Sequence, residues 1–149
     1  MLKKIGYVLF AALIIIQFIR PERNIAQGPF PNDIASRIAI PQEVNTILQQ
    51  ACYDCHSNQT KYPAYAQVQP LNWWIQDHVN EGKQHLNFHE FATYTPKKQK
   101  HKLEEVIEVM AEDEMPMKSY RWMHGEARLS KTQKDALVQW AKSSMNQYP

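Results

Sequence analysis

The sequence predicts an all-α domain behind a single amino-terminal helix. Three observations carry that prediction: apolar residues recur at helical spacing in four separate stretches, capping residues or Pro and Gly bound those stretches, and no stretch alternates with the period of a strand. A chain of 149 residues makes one domain of ordinary size. Its 44% hydrophobic residues and its 4 Trp, 7 Tyr and 5 Phe supply a packed core.

The first element is residues 1–20. Lys3 and Lys4 precede an apolar run from Ile5 to Ile19, broken only by Gly6 and Gln17, and Arg20-Pro21-Glu22-Arg23 follows. A basic start, an apolar middle and a polar exit make an export signal. No small-residue cleavage site closes it, so an uncleaved signal-anchor is expected, with the lysines on the cytoplasmic side and the rest of the chain on the periplasmic side of the inner membrane. The run is short for a spanning helix, and Lys4 and Arg20 would have to snorkel. Residues 21–40 are polar, carry Gly28, Pro29 and Pro31, and show no period; they read as a partly extended linker.

The domain proper is expected over residues 41–149. Pro41 suits a first helical position, and Val44, Ile47, Leu48, Ala51 and Cys55 then make one face. A second helix begins near Pro70, carries Trp73, Trp74, Ile75, His78 and Val79, and is expected to stop at Gly82. In the third, Thr95 caps, Pro96 opens the first turn, Leu103, Val106, Ile107 and Met110 form the stripe, and Pro116 closes the segment. The fourth opens on the capping box Ser130-Lys131-Thr132-Gln133 and buries Leu137, Trp140, Ala141 and Ser144.

Charge narrows the partners. Lys3, Lys4 and Arg20 meet no acid in the first twenty residues, so of 17 basic and 15 acidic residues the body keeps 14 and 15. A nearly neutral body lacks the clustered cations that neutralise phosphates, and nucleic acid is excluded as an expected partner. No Gly-rich phosphate loop exists with 4 Gly, and no acid-base or nucleophilic set stands out, so an enzyme is not expected.

The chemistry lies in Cys52-Tyr53-Asp54-Cys55-His56, which holds both cysteines of the chain. This is the C-x-x-C-H pattern of covalent c-type haem attachment. Two thiols three apart at a helix end can each add to a vinyl group of one porphyrin edge, while His56 offers an imidazole to the iron. The export signal agrees, because thioether linkage needs an exported chain. A thioredoxin-type dithiol expects a βαβ setting and a lowered thiol pKa at a helix amino terminus, zinc needs four ligands, and a disulfide at this spacing is strained.

This order of features resembles the class I cytochrome c pattern: an early helix ending in the haem motif, later helices, a Met-bearing loop and a final amphipathic helix. More closely, residues 52–145 resemble the small bacterial "haem-binding domain" family of membrane-anchored single-haem proteins. The likeness is carried by Cys-Tyr-Asp-Cys-His-Ser-Asn at 52–58, Gly82 with Leu86-Asn87-Phe88, Glu114-Met115-Pro116, and His124 to Ser130. Ala64 departs from it, standing where an aromatic is expected. The resemblance implies a cytochrome c-like helical domain wrapped around one covalent haem c and names no reaction.

Iron held by His56 needs a distal partner. Met115 stands in the loop before the last helix, where the cytochrome pattern keeps its Met, and is the expected ligand. Met117, His78 and His124 are the rivals, while Met110 and Met123 are expected in helix or loop core and His101, amid Lys98, Lys100 and Lys102, on a solvated face. Trp73, Trp74, Phe88, Phe91 and Trp140 are expected to wall the macrocycle, and the Pro63 carbonyl to hold the free ring N–H of His56. The expected function is single-electron transfer between redox partner proteins at the membrane. The alternatives are a haem-based sensor or gas-binding module with an open distal site, and a small haem subunit of a peroxidase-like enzyme.

Overall fold

The computed structural model describes residues 1–149 and contains helices, turns and no strand. There are seven α-helices: α1 (Leu2–Ile16), α2 (Gln42–Ala51), α3 (Tyr53–His56), α4 (Leu71–His85), α5 (Pro96–Ala111), α6 (Lys118–Met123) and α7 (Lys131–Met145). The all-α class expected from the sequence is what forms, with the short α3 and α6 added because single turns leave no apolar period to read.

The core lies where α5 and α7 pack together and α2 closes against α7. Its buried side chains include Val44, Ile47 and Leu48 of α2, Leu103 of α5, and Leu137, Trp140 and Ala141 of α7. The expected stripes of α2 and α7 are therefore the ones that bury. Capping follows the sequence too: the Thr95 hydroxyl accepts from the Lys98 N–H, and Ser130 and Gln133 form the reciprocal capping box. Helix α5 ends at Ala111, before Pro116, and Pro41 caps α2 rather than starting it.

The stretch expected as a linker is laid against the domain from Asn24 onward. The Asn24 side chain donates to the Ser57 carbonyl and to Thr60 Oγ1, both at 2.8 Å, and the Ala26 N–H donates to the Asn58 carbonyl at 3.0 Å. Ile34 and Ile38 then sink into the core. Two isoleucines one helical turn apart in a polar stretch were the only signal, too short to register as a period. Helix α1 buries no side chain, and no helix of the chain is long and apolar enough to cross a membrane.

Two departures shape the site. The helix expected to run through Cys55 breaks at Cys52, whose φ of −126° ends α2. The N–H groups of Cys55 and His56 then donate back to the Cys52 carbonyl at 3.1 and 2.9 Å, closing the single turn of α3. Gly82, expected as a stop, lies inside α4, which continues to His85. A Cβ at Gly82 would stand 2.7 Å from the Cys55 carbonyl oxygen and 3.3 Å from Cys55 Cβ. Glycine is required here for close approach, and it lets α4 rest directly on the cysteine-bearing turn.

Gly82→Ala sets two effects against each other. Helix propensity favours Ala by about 1 kcal/mol, whereas overpacking against backbone costs about 1–3 kcal/mol. The carbonyl belongs to a constrained turn and cannot yield as a flexible side chain would. Net destabilisation is expected, seen as a lower midpoint in chemical denaturation; an unchanged or raised midpoint would contradict the close packing.

Candidate functional site

A cavity of about 630 Å³ opens between α3, α4, α5 and the 112–117 loop, and Cys52, Cys55 and His56 all line it. Leu48, Ala51, Phe88, Val106, Val109, Met110 and Leu137 make most of its wall apolar. Met110 and Leu137, expected simply as core, thus turn one side toward the cavity.

The cysteines are free thiols. Burial pushes Cys52 up to about 12, assisted by the neighbouring Cys55. It likewise pushes Cys55 up to about 11, with the Asp54 carboxylate adding to the rise. Raised thiols are the opposite of the activated thiolate that a thioredoxin-type dithiol uses.

The His56 ring is held at one end. Its Nδ1 lies 3.0 Å from the Leu86 carbonyl oxygen. A carbonyl only accepts, so Nδ1 carries the proton and Nε2 keeps its lone pair, the tautomer of a metal-ligating imidazole. Burial disfavours the charged ring and lowers its pKa, although that same backbone bond pulls the other way. The role expected of the Pro63 carbonyl therefore belongs to Leu86. The Pro63 oxygen instead accepts from the Ala66 N–H at 3.0 Å in the turn after the motif, and neighbouring Ala64 is exposed there.

A polar scaffold backs the motif. Asp54 Oδ2 accepts from the Tyr120 hydroxyl at 2.7 Å, and Oδ1 from the Lys61 N–H at 3.0 Å. Asn58 donates to Glu90 Oε1 at 2.8 Å, accepts from the Asn87 side chain at 2.6 Å, and gives its backbone N–H to His89 Nδ1 at 3.3 Å. Phe88 stacks on Tyr53 with centroids 5.1 Å apart and meets the His56 ring edge-on at 6.3 Å. The turn that carries the thiols is thus braced from α6 and from the segment after α4.

Among the distal candidates, Met115, Met117 and His78 line the cavity. Met115 also packs on the hydrophobic core, and its loop is drawn onto α5 by the Glu114 N–H, which donates to the Val109 carbonyl at 3.1 Å. Met117 caps α6. His78 Nδ1 donates to the Trp74 carbonyl at 2.7 Å, which leaves Nε2 available. His124 is placed elsewhere: it bonds the Tyr65 hydroxyl at 2.6 Å, pairs with Glu126 at 3.1 Å and stacks on Tyr120.

Of the five aromatics expected around the cavity, only Phe88 lines it. Phe91 and Trp140 are ordinary core, and Trp73 and Trp74, at the start of α4, do not line it. The residues that sequence reasoning missed are Tyr120, on a helix without a period, and Lys102. Lys102 was expected on a solvated face. It is instead buried in the cavity wall, with Nζ on Glu105 at 2.6 Å. His101 is exposed as expected, between Glu104 and Glu105.

The family model described as "Haem-binding domain" matches residues 11–143. No curated protein and no solved structure matches the chain. The site fits that group on its own geometry: one largely apolar cavity of ligand-binding size, with two thiols and an imidazole of the ligating tautomer on the same wall.

His89 makes the scaffold acid-sensitive. Burial lowers its pKa, while Asp33 and Glu90 oppose that shift, and its Nδ1 must stay unprotonated to accept from Asn58. The folded state therefore refuses a proton that the unfolded chain takes up. This contribution to stability is complete above about pH 6.5, the ordinary histidine value, and is lost as pH falls below it. Denaturation midpoints should drop between pH 7 and 5, and by less in His89→Gln. An equal drop in both proteins would contradict this role.

Proposed function

The chain belongs to the haem-binding domain family and is a haem-binding protein; we propose that it is a c-type cytochrome that carries single electrons on the periplasmic face of the inner membrane. The observation that supports this reading most directly is the convergence of Cys52, Cys55 and His56 on one wall of a single apolar cavity. Cys52 and Cys55 would hold the cofactor through two thioethers, each thiol adding S–H across one vinyl group, so that two C–S bonds form and no oxidant is needed. His56, its ring oriented by the Leu86 carbonyl, would ligate the iron through Nε2.

Bound haem supplies a one-electron ferric/ferrous couple. This chain's residues set its environment. Leu48, Val106, Met110, Leu137 and Phe88 exclude water, and Met115 supplies a thioether from the loop after α5. Met115 is favoured over Met117 because it packs on the core and is held by it. A His78 ligand is the second reading, favoured by its place in the cavity wall and its free Nε2. Larger redox proteins are the partners, and α1, with Lys3 and Lys4 at its start, attaches the chain to the membrane.

Spectra test the ligand set. The protein should show a weak far-red charge-transfer band when oxidised and bind no carbon monoxide when reduced. Met115→Ala should abolish the band and open the iron to carbon monoxide, whereas Met117→Ala and His124→Ala should leave both unchanged. Loss of spectral change in Met115→Ala together with a response in His78→Ala would favour the second reading. Ready carbon monoxide binding by the unaltered protein would contradict the carrier function and favour a sensor.

Attachment is tested separately. Cys52→Ala or Cys55→Ala should lower the yield of haem-stained protein on denaturing gels, and the double change should remove it. Full staining of the double variant would overturn the thioether assignment.

A further inference from the structure

Gln17, the one strongly polar residue inside the amino-terminal apolar run, has a partner in the domain. Its Nε2 donates to the Gln69 carbonyl at 3.1 Å, and its Oε1 accepts from the Gln69 N–H at 2.9 Å. Two residues on, the Ile19 carbonyl accepts from Trp73 Nε1 at 2.7 Å. These three bonds clamp the exit of α1 onto the turn that leads into α4. Gln69 is itself buried, so the clamp is rooted in the domain and not in a swinging linker.

The surface beside the clamp is apolar and uncovered. Val68 is 55% exposed, Leu71 39% and Trp74 45%, and Phe18 and Ile19 continue the patch along the chain. Leu71 and Trp74 are three apart on α4 and share one face. The cations Arg20, Arg23 and Lys61 lie near it in sequence, against the acids Glu22 and Asp77. Tryptophan beside an apolar helix exit, with arginine following, is the composition of a membrane–water interface.

We propose that the face formed by Val68, Leu71 and Trp74 lies on the surface of a lipid bilayer and holds the domain in one orientation. This rests on the reading that α1 enters the membrane. If the exit of α1 sits at the interface, the residues bonded to that exit share its depth, and those residues begin α4. Trp74 packs on His78 with ring centroids 4.2 Å apart and planes tilted by 49°, and His78 lines the cavity, so the docked face and the cavity share neighbouring residues of α4. The orientation of the haem plane to the membrane is then a property of the fold.

The full-length haem-loaded protein in vesicles of phosphatidylethanolamine and phosphatidylglycerol tests this. Vesicle flotation reports entry of α1, and linear dichroism of the Soret band in oriented bilayers reports haem tilt. The unaltered protein should float and give a marked dichroic ratio. Val68→Asp with Leu71→Asp should still float with an unchanged visible spectrum, while the ratio moves toward its isotropic value. Val68→Ser with Leu71→Ser should move it part of the way. Trp122→Asp, at a site 78% exposed on α6, should leave it unchanged. Flotation with an isotropic ratio, or with a ratio that neither double variant alters, overturns the docked face and leaves the membrane reading intact. Failure to float overturns both.

Discussion

The site depends on the direct contact between α4 and the cysteine-bearing turn at Gly82. A helix can lie against another element's backbone only where no Cβ intervenes, and at Gly82 the nearest atom to a missing Cβ is the Cys55 carbonyl oxygen at 2.7 Å. That approach brings the Leu86 carbonyl, one turn further along, to 3.0 Å from His56 Nδ1. One small residue thereby fixes the position of α4, the orientation of the imidazole and its tautomer. The proton on Nδ1 is what leaves Nε2 free to bind a metal.

The second constraint is the break at Cys52. On a continuous helix Cys52 and Cys55 would lie only about 60° apart, at 100° per residue, and would share a face as well, so the break re-forms that pairing on a separate turn. Ending α2 at Cys52 and restarting at Tyr53 puts both thiols and His56 on the wall of one cavity. The polar scaffold keeps that irregular turn in place. Asp54, Asn58 and Asn87 form hydrogen bonds that a regular helix would not need, and Phe88 and Tyr53 stack beneath them. The Asn58 and Asn87 bonds are partly buried, where losing one partner leaves the other unsatisfied.

The stripes of α2 and α7 and the caps of α5 and α7 were legible in the sequence, because period and capping are local. The Cys-x-x-Cys-His motif was legible as a pattern because five consecutive residues carry it. What was hidden is long-range. Gly82 reads as a helix stop when only its neighbours in sequence are considered, and as a contact when the turn at Cys55 is packed on it. Pro63 was assigned the carbonyl role by its distance from His56 along the chain, but it is Leu86, 30 residues on, that reaches the ring. His124 and Met115 stand nine residues apart on the segment between α5 and α7, yet only Met115 lines the cavity. Lys102 belongs to a charged run and still turns inward, because α5 packs one side on the core and Lys102 falls beside Leu103 on it.

The same logic governs the amino terminus, where Gln17 interrupts an apolar run and is bonded from both sides by Gln69. The central claim remains the thioether-held cofactor, and mass spectrometry of the tryptic fragment from Ile38 to Lys61 tests it most directly. That fragment should carry one haem after denaturation and acid-acetone extraction, with neither Cys52 nor Cys55 open to alkylation. Recovery of the fragment without haem and with both thiols alkylated, from cells that mature other c-type cytochromes, would contradict it.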